Sequence, residues 1–221
     1  MRLSTVLCAA GFTCFASVAM AKDPNPPGKF FVGVDAGTLR AKASMSPQYF
    51  QPQDVRQNDD ATAYKVRAGF QFMRYLAVEG GYADLGTFDL ENVPYDCPPG
   101  VPGTCTYDIN SNTKGYFMNV VGTWPITDKL LANGRAGFIR VKNVKRERAP
   151  DIAPADSHAS LNSTGAVWGL GLAYRMSPHV DAELSWTYYK GYWNDNGLFT
   201  QTPRFDLESS QLFALGMRYR F

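Results

Sequence analysis

Trp168-Gly169-Leu170-Gly171-Leu172-Ala173-Tyr174-Arg175, the break Met176-Ser177-Pro178-His179, and Val180-Asp181-Ala182-Glu183-Leu184-Ser185-Trp186-Thr187-Tyr188-Tyr189 form the stretch that decides the fold. In the first run Trp168, Leu170, Leu172 and Tyr174 alternate with Gly169, Gly171, Ala173 and Arg175. In the second, Val180, Ala182, Leu184, Trp186 and Tyr188 alternate with Asp181, Glu183, Ser185, Thr187 and Tyr189. A period of two puts successive side chains on opposite faces of a strand. Two such runs across so short a break read as an antiparallel hairpin. One face is large and apolar, the other small or charged.

The pattern recurs outward along the chain, in segments 30–38, 64–72, 76–82, 115–124, 130–141 and 213–221. Two of these are less regular: Phe117 and Val121 in one, Leu131 and Ile139 in the other, fall on the polar set. Three connections are tight, at Met73-Arg74-Tyr75, 125–129 and 176–179, whereas 39–60, 89–112, 144–160 and 193–207 are long, polar and rich in Pro, Asn and Asp. Eight strands with short turns at one end and long loops at the other describe an all-β, antiparallel up-and-down barrel.

The two residue sets decide which way the barrel faces. The polar set holds Gly33, Gly37, Gly69, Gly81, Gly137, Gly169, Gly171 and Gly216 together with the charges. Small residues interleaved with long charged ones suit the narrow bore of an eight-stranded barrel. The apolar set is bulky and aromatic. Phe30, Phe72, Trp124, Tyr174 and Phe221 would ring one end, and Tyr64, Tyr116, Phe138, Trp168 and Tyr188 the other. That is the layout of a transmembrane barrel with two interfacial girdles, four long extracellular loops and three short periplasmic turns. A soluble lipocalin-like barrel, with the apolar set inside, would expose the glycines and crowd the aromatics.

The averages are compatible with this and exclude other classes. The chain has 221 residues, 45% hydrophobic and 14% aromatic, with a net charge of +2. Aromatic content argues against disorder, and the even charge gives no footing for nucleic acid. Apart from the N-terminus no apolar run approaches the length of a membrane helix.

Residues 1–21 read as a cleaved signal peptide: Arg2, a mostly apolar core over 6–16, and the small-x-small site Ala19-Met20-Ala21. An uncleaved anchor helix is the alternative, for which the core is short. The barrel then occupies 22–221 as one domain. Cleavage removes Cys8 and Cys14 and leaves Cys97 and Cys105 in a Pro- and Gly-rich loop. In an exported protein this pair is expected to form a disulfide; a metal or redox pair is the rival, without a nearby His or CxxC spacing.

The chain resembles the eight-stranded transmembrane domain of the outer-membrane protein A-like family. The matching stretches are Arg67-Ala68-Gly69-Phe70, Val78-Glu79-Gly80-Gly81-Tyr82 with Leu85-Gly86, Trp124-Pro125-Ile126-Thr127-Asp128, Arg135-Ala136-Gly137-Phe138, Gly171-Leu172-Ala173-Tyr174 with Ser177-Pro178, and Leu215-Gly216-Met217-Arg218-Tyr219-Arg220-Phe221. The resemblance implies that Tyr219 and Phe221 carry the signal read by the barrel-assembly machinery. It also implies that Glu79 and Arg135 occupy charged lumen positions that act as a gate in the family. Ala173 stands where an acid is common and Glu183 where an Arg is common, so a gate is rewired or absent. Family members often continue into a periplasmic peptidoglycan-binding domain, which this sequence is expected to lack.

The expected lumen network comprises Asp35, Lys65, Arg67, Glu79, Arg135, Arg175, Asp181, Glu183, Arg218 and Arg220, paired because unpaired buried charge is costly. Arg140, Lys142, Lys145, Arg146 and Arg148 form a basic run at the outer end of the fifth segment. It is either a solvated loop or a contact for lipopolysaccharide phosphates. No catalytic residue, metal or cofactor is expected: of the two His, His179 lies in a turn and His158 in a long loop. The leading function is structural and surface-directed, in a monomer of a Gram-negative outer membrane. Its expected partners are outer-membrane lipids, the assembly machinery and an extracellular ligand for the loops. A small gated diffusion pore is the alternative and a lipid A-modifying enzyme the third.

Overall fold

The computed structural model describes residues 27–45, 56–57, 60–95, 105–148, 157–191 and 205–221. They form β1 (Lys29–Met45), β2 (Arg56–Gln57), β3 (Asp60–Met73), β4 (Leu76–Tyr95), β5 (Cys105–Pro125), β6 (Leu130–Arg148), β7 (Ser157–Arg175), β8 (Val180–Lys190) and β9 (Phe205–Arg220). β2 is a two-residue strand beside β4. The other eight form a closed ring in which each strand is antiparallel to its chain neighbour and β1 closes on β9. Among the described residues of the apolar band, closure leaves no free sheet edge, as a hydrocarbon environment demands of strands. Among the described residues no helix is long and apolar enough to cross a membrane.

The alternation read from the sequence is the alternation of burial. In β3 the pattern is strictly alternating from Asp60 to Ala68, with Ala61, Ala63, Lys65 and Arg67 inside. The off-pattern apolar residues Phe117, Val121, Leu131 and Ile139 are also buried. They keep the lumen parity; it is their chemistry that breaks the sequence pattern. Strands run further than expected: most of 39–45, 89–95, 105–112, 144–148 and 157–160 continues the barrel beyond the apolar band.

The turns are tight where expected. Ile126 N donates to the Leu130 carbonyl at 2.8 Å, and Met176 N to the Val180 carbonyl at 2.9 Å. In each, a hydroxyl accepts the backbone N–H groups that the turn leaves over. Thr127 Oγ1 accepts from Leu130 N at 3.0 Å, and Ser177 Oγ from Val180 N at 3.1 Å. Short side-chain acceptors favour turns for this reason.

At Gly86 the chain makes a further adjustment. The β4–β5 register passes from Asp84↔Lys114 to Thr87↔Asn112, so β4 carries one extra residue. Gly86 sits there at φ +85° and donates to Asp84 Oδ1 at 3.1 Å. The bulge switches parity, so Leu85 and Phe88 both point inward. A Cβ at this position would lie 2.6 Å from the Thr62 carbonyl oxygen. Gly86→Val is expected to cost about 1–3 kcal/mol, the range for a non-glycine residue held in a strained conformation. A lower temperature for the heat-induced shift in electrophoretic mobility would register it.

Candidate functional site

The bore is filled in layers. At mid-height Arg67 on β3 reaches across to β8: its Nη2 donates to Glu183 Oε2 at 2.7 Å and to Asp35 Oδ1 at 3.1 Å, and its Nη1 to Glu79 Oε2 at 3.3 Å. Arg135 on β6 donates to Glu183 Oε1 and lies 3.6 Å from Glu79 Oε1. Lys65 Nζ is 3.3 Å from Asp35 Oδ2, and Asn119 Nδ2 donates to Glu79 Oε1 at 3.0 Å. Three carboxylates thus meet three cations, and the side chains of Arg67, Glu79, Arg135 and Glu183 are each about 1% exposed. Balance and multiple bonding offset the desolvation that would make any one of these charges untenable. Lumen glycines make the room: a Cβ at Gly216 would land on Asp35 Oδ1.

The ten charges expected to form one network form two. The second lies nearer the turn end, where Asp181 is wholly buried among three arginines. Arg218 donates through Nε and Nη2 to Asp181 Oδ2 at 3.1 and 2.9 Å, Arg220 Nη2 to Oδ1 at 2.9 Å, and Arg175 Nε lies 3.8 Å away. The Arg218 guanidinium also sits 5.5 Å from the Phe31 ring centroid. The Glu79–Arg135 contact expected as a gate is one edge of the central cluster. Glu183 binds both Arg135 and Arg67, and so takes the hub position from the other wall. Ala173, where the family commonly has an acid, is buried without a charge.

Toward the loop end the lumen holds Leu39, Leu85, Phe88, Phe117, Ile139, Val141, Tyr189 and Leu212 in a continuous apolar cluster. Neutral Thr113, Asn143, Thr187 and Ser210 are buried there too. Among the described residues no ionised side chain is buried on the loop side of the Asp35–Lys65 pair. This apolar half was not anticipated. Its sequence signal was Phe117 and Ile139, two of the four apolar residues on the polar set; Val121 packs instead with Phe31 and Ala77, and Leu131 is buried beside the 125–129 turn.

Outside, Phe30, Phe72, Trp124, Tyr174 and Phe221 lie exposed at the turn end, and Tyr64, Tyr116, Phe138 and Trp168 at the loop end; Tyr188 stacks on Trp168 with ring centroids 4.5 Å apart. Nine residues separate the two belts inclusively along β5, from Tyr116 to Trp124, enough for a tilted strand to cross the hydrocarbon layer. Just beyond the upper belt the outward residues turn polar: Arg40 with Asp60 at 3.1 Å, Asp84 with Lys114 at 3.1 Å, then Arg140 and Lys142, both exposed. Lys145, Arg146 and Arg148 lie in β6, opposite Ser111, Asn110 and Asp108; their side chains fall outside the described residues.

His179 has a structural role. Its Nδ1 is 2.9 Å from the Arg220 carbonyl oxygen, and its ring stacks on Tyr219 at 5.9 Å. Tyr219 and Phe221 meet edge to face at 5.1 Å, and Phe221 N donates to the Phe30 carbonyl at 3.0 Å. The C-terminal strand is thereby fastened to both neighbours. His158, expected in a loop, lies in β7 opposite Arg146. Residues 1–21 and Cys97, and so the signal peptide and the disulfide, lie outside the described residues. Among those described, no cluster of His, Cys, Asp or Glu could hold a metal ion.

Residues 5–221 match the family model of the outer membrane protein beta-barrel domain. No curated protein sequence matches the chain. Among solved structures, the outer membrane protein OprG of Pseudomonas aeruginosa aligns at 13% identity and TM-score 0.58, over 90% of this chain and 98% of that one. A major outer membrane protein of Thermus thermophilus aligns at 14% and 0.54, over 88% and 99%. Ail, the attachment invasion locus protein of Yersinia pestis, aligns at 14% and 0.52, over 89% and 100%. At these identities the likeness is one of fold.

Proposed function

Because the chain belongs to the outer membrane protein beta-barrel domain family, and so to a Gram-negative outer membrane, we propose that it serves there as a sealed scaffold with a structural and surface-directed role. Envelope integrity comes from the lipid-embedded band, and contacts with the surroundings come from the segments at the loop end. The carrying observation is the Arg67–Glu183 bond across the bore, within a charge layer that water does not reach. Above it the apolar cluster from Leu39 to Leu212 occupies the same bore. An ion entering would have to displace paired charges and then cross uncharged packing, both costly steps.

A gated pore would need Glu79 and Arg135 to part while Arg67, Asn119 and Glu183 still hold them. An enzyme would need a base poised at a substrate, whereas the His179 ring is engaged with backbone and Tyr219. Against lipid A chemistry this supports a non-enzymatic role.

The test is electrical. Purified protein inserted in planar bilayers is expected to give no discrete conductance steps, and Glu79→Ala no more than transient leak. Recurrent ohmic steps from the unmodified protein would overturn the sealed scaffold in favour of the pore.

A further inference from the structure

Just above the upper aromatic belt, one sector of the outer wall carries cations without matching acids. On β5 and β6 the outward ladder runs Met118↔Phe138, Tyr116↔Arg140 and Lys114↔Lys142. Arg140 and Lys142 therefore begin one step beyond Phe138, roughly 6–7 Å further along the strand. Lys114 and Lys142 face each other directly, an arrangement that costs stability between like charges. Asp84 relieves it only from the β4 side, at 3.1 Å from Lys114 Nζ. Among the described residues no acidic side chain pairs with Arg140 or Lys142. On the other side, β7 places Thr164 opposite Arg140 and Asn162 opposite Lys142. All four are exposed. On β1 and β3 the equivalent rim is neutralised, because Arg40 Nε lies 3.1 Å from Asp60 Oδ1.

A guanidinium, an ammonium, a hydroxyl and an amide are thus gathered on one outward face, at the height where the apolar band ends. Every one of them can donate a hydrogen bond, and charge-assisted bonds of this kind suit a phosphate oxygen. Below them Phe138, Met118, Val120 and Ala136 form the apolar wall along which acyl chains lie.

We propose that Arg140 and Lys142, flanked by Thr164 and Asn162, seat a phosphate of an outer-leaflet glycolipid headgroup, the lipopolysaccharide of this membrane. The proposal rests on the outer-membrane placement and adds a lipid site to it. The anion removes the like-charge strain between Lys114 and Lys142 and ties the barrel to the leaflet's surface layer on the β5–β7 side.

Native mass spectrometry of the detergent-purified full chain, mixed with bis-phosphorylated lipid A, tests it. The unmodified protein is expected to retain lipid A, and Arg140→Ala/Lys142→Ala to lose at least about tenfold of that affinity, since two charge-assisted bonds go. Arg40→Ala should retain lipid A fully, and dephosphorylated lipid A should bind both proteins equally weakly. Undiminished retention by the double variant would overturn the site. So would equal retention of the dephosphorylated lipid, or complete displacement by millimolar inorganic phosphate, which would assign the cations to soluble anions. The heat-induced mobility shift shows whether each variant is folded. A failed lipid assay with silent bilayers refutes this site and leaves the sealed scaffold standing.

Discussion

Glu183→Gln unfolds at markedly lower urea concentration than the unmodified protein, by about 3–5 kcal/mol, the usual result of removing one partner from a buried ion pair. The substitution keeps the shape and deletes the charge that Arg67 and Arg135 share. Two guanidiniums about 1% exposed are then left with Asp35 and Glu79 to balance them. The measurement is urea unfolding in phospholipid vesicles, read by electrophoretic mobility. Asp60→Asn is the contrast: its bond to Arg40 is exposed on both sides, so the change should be within about 1 kcal/mol. Arg67→Met combined with Glu183→Met should recover part of the loss, since opposite charges leave together. A Glu183→Gln effect as small as that of Asp60→Asn would mean that water already solvates the cluster. The sealed lumen would fall with it.

Val120→Arg is expected to cost about 2–4 kcal/mol in bilayers, the figure for an Arg at the midplane of a lipid-facing wall. Val120 lies outward, 50% exposed, midway along β5 between Tyr116 and Trp124. An Arg added at the rim instead, as Asn112→Arg, should cost at most about 1 kcal/mol. Failure to insert into vesicles, scored as loss of the heat-shifted band, would be the extreme of the same effect. In a soluble barrel the outward Val120 would face water, and the Arg would be nearly neutral. Equal stability of the two variants would therefore refute the membrane band.

The strand alternation, the three turns and the aromatic belts were all legible in the sequence, because each is a local property. A side chain's face follows from its parity along a strand, and a turn follows from the few residues that make it. Thr127 and Ser177 announce their turns in this way. Belt residues such as Tyr116 and Trp124 need only the right spacing along one strand. The members of the charged lumen were legible for the same reason, as polar residues on the inward parity.

What no sequence pattern contained was which charges meet. Arg67 and Glu183 are 116 residues apart, and their contact depends on barrel closure, stagger and the room left by Gly33, where a Cβ would come within 3.0 Å of Arg67 Nε. Those are set by all eight strands at once. Asp181 likewise gathers Arg175, Arg218 and Arg220 into a separate cluster, since β7, β8 and β9 bring them to the same end. Phe88 turns inward only through the extra residue at Gly86, which reverses the parity that sequence reading assumes. Sequence alone determined that a barrel forms and which residues face its bore. The tertiary structure decided which of those residues meet, because the contacts run across the barrel between side chains whose separation along the chain carries no signal.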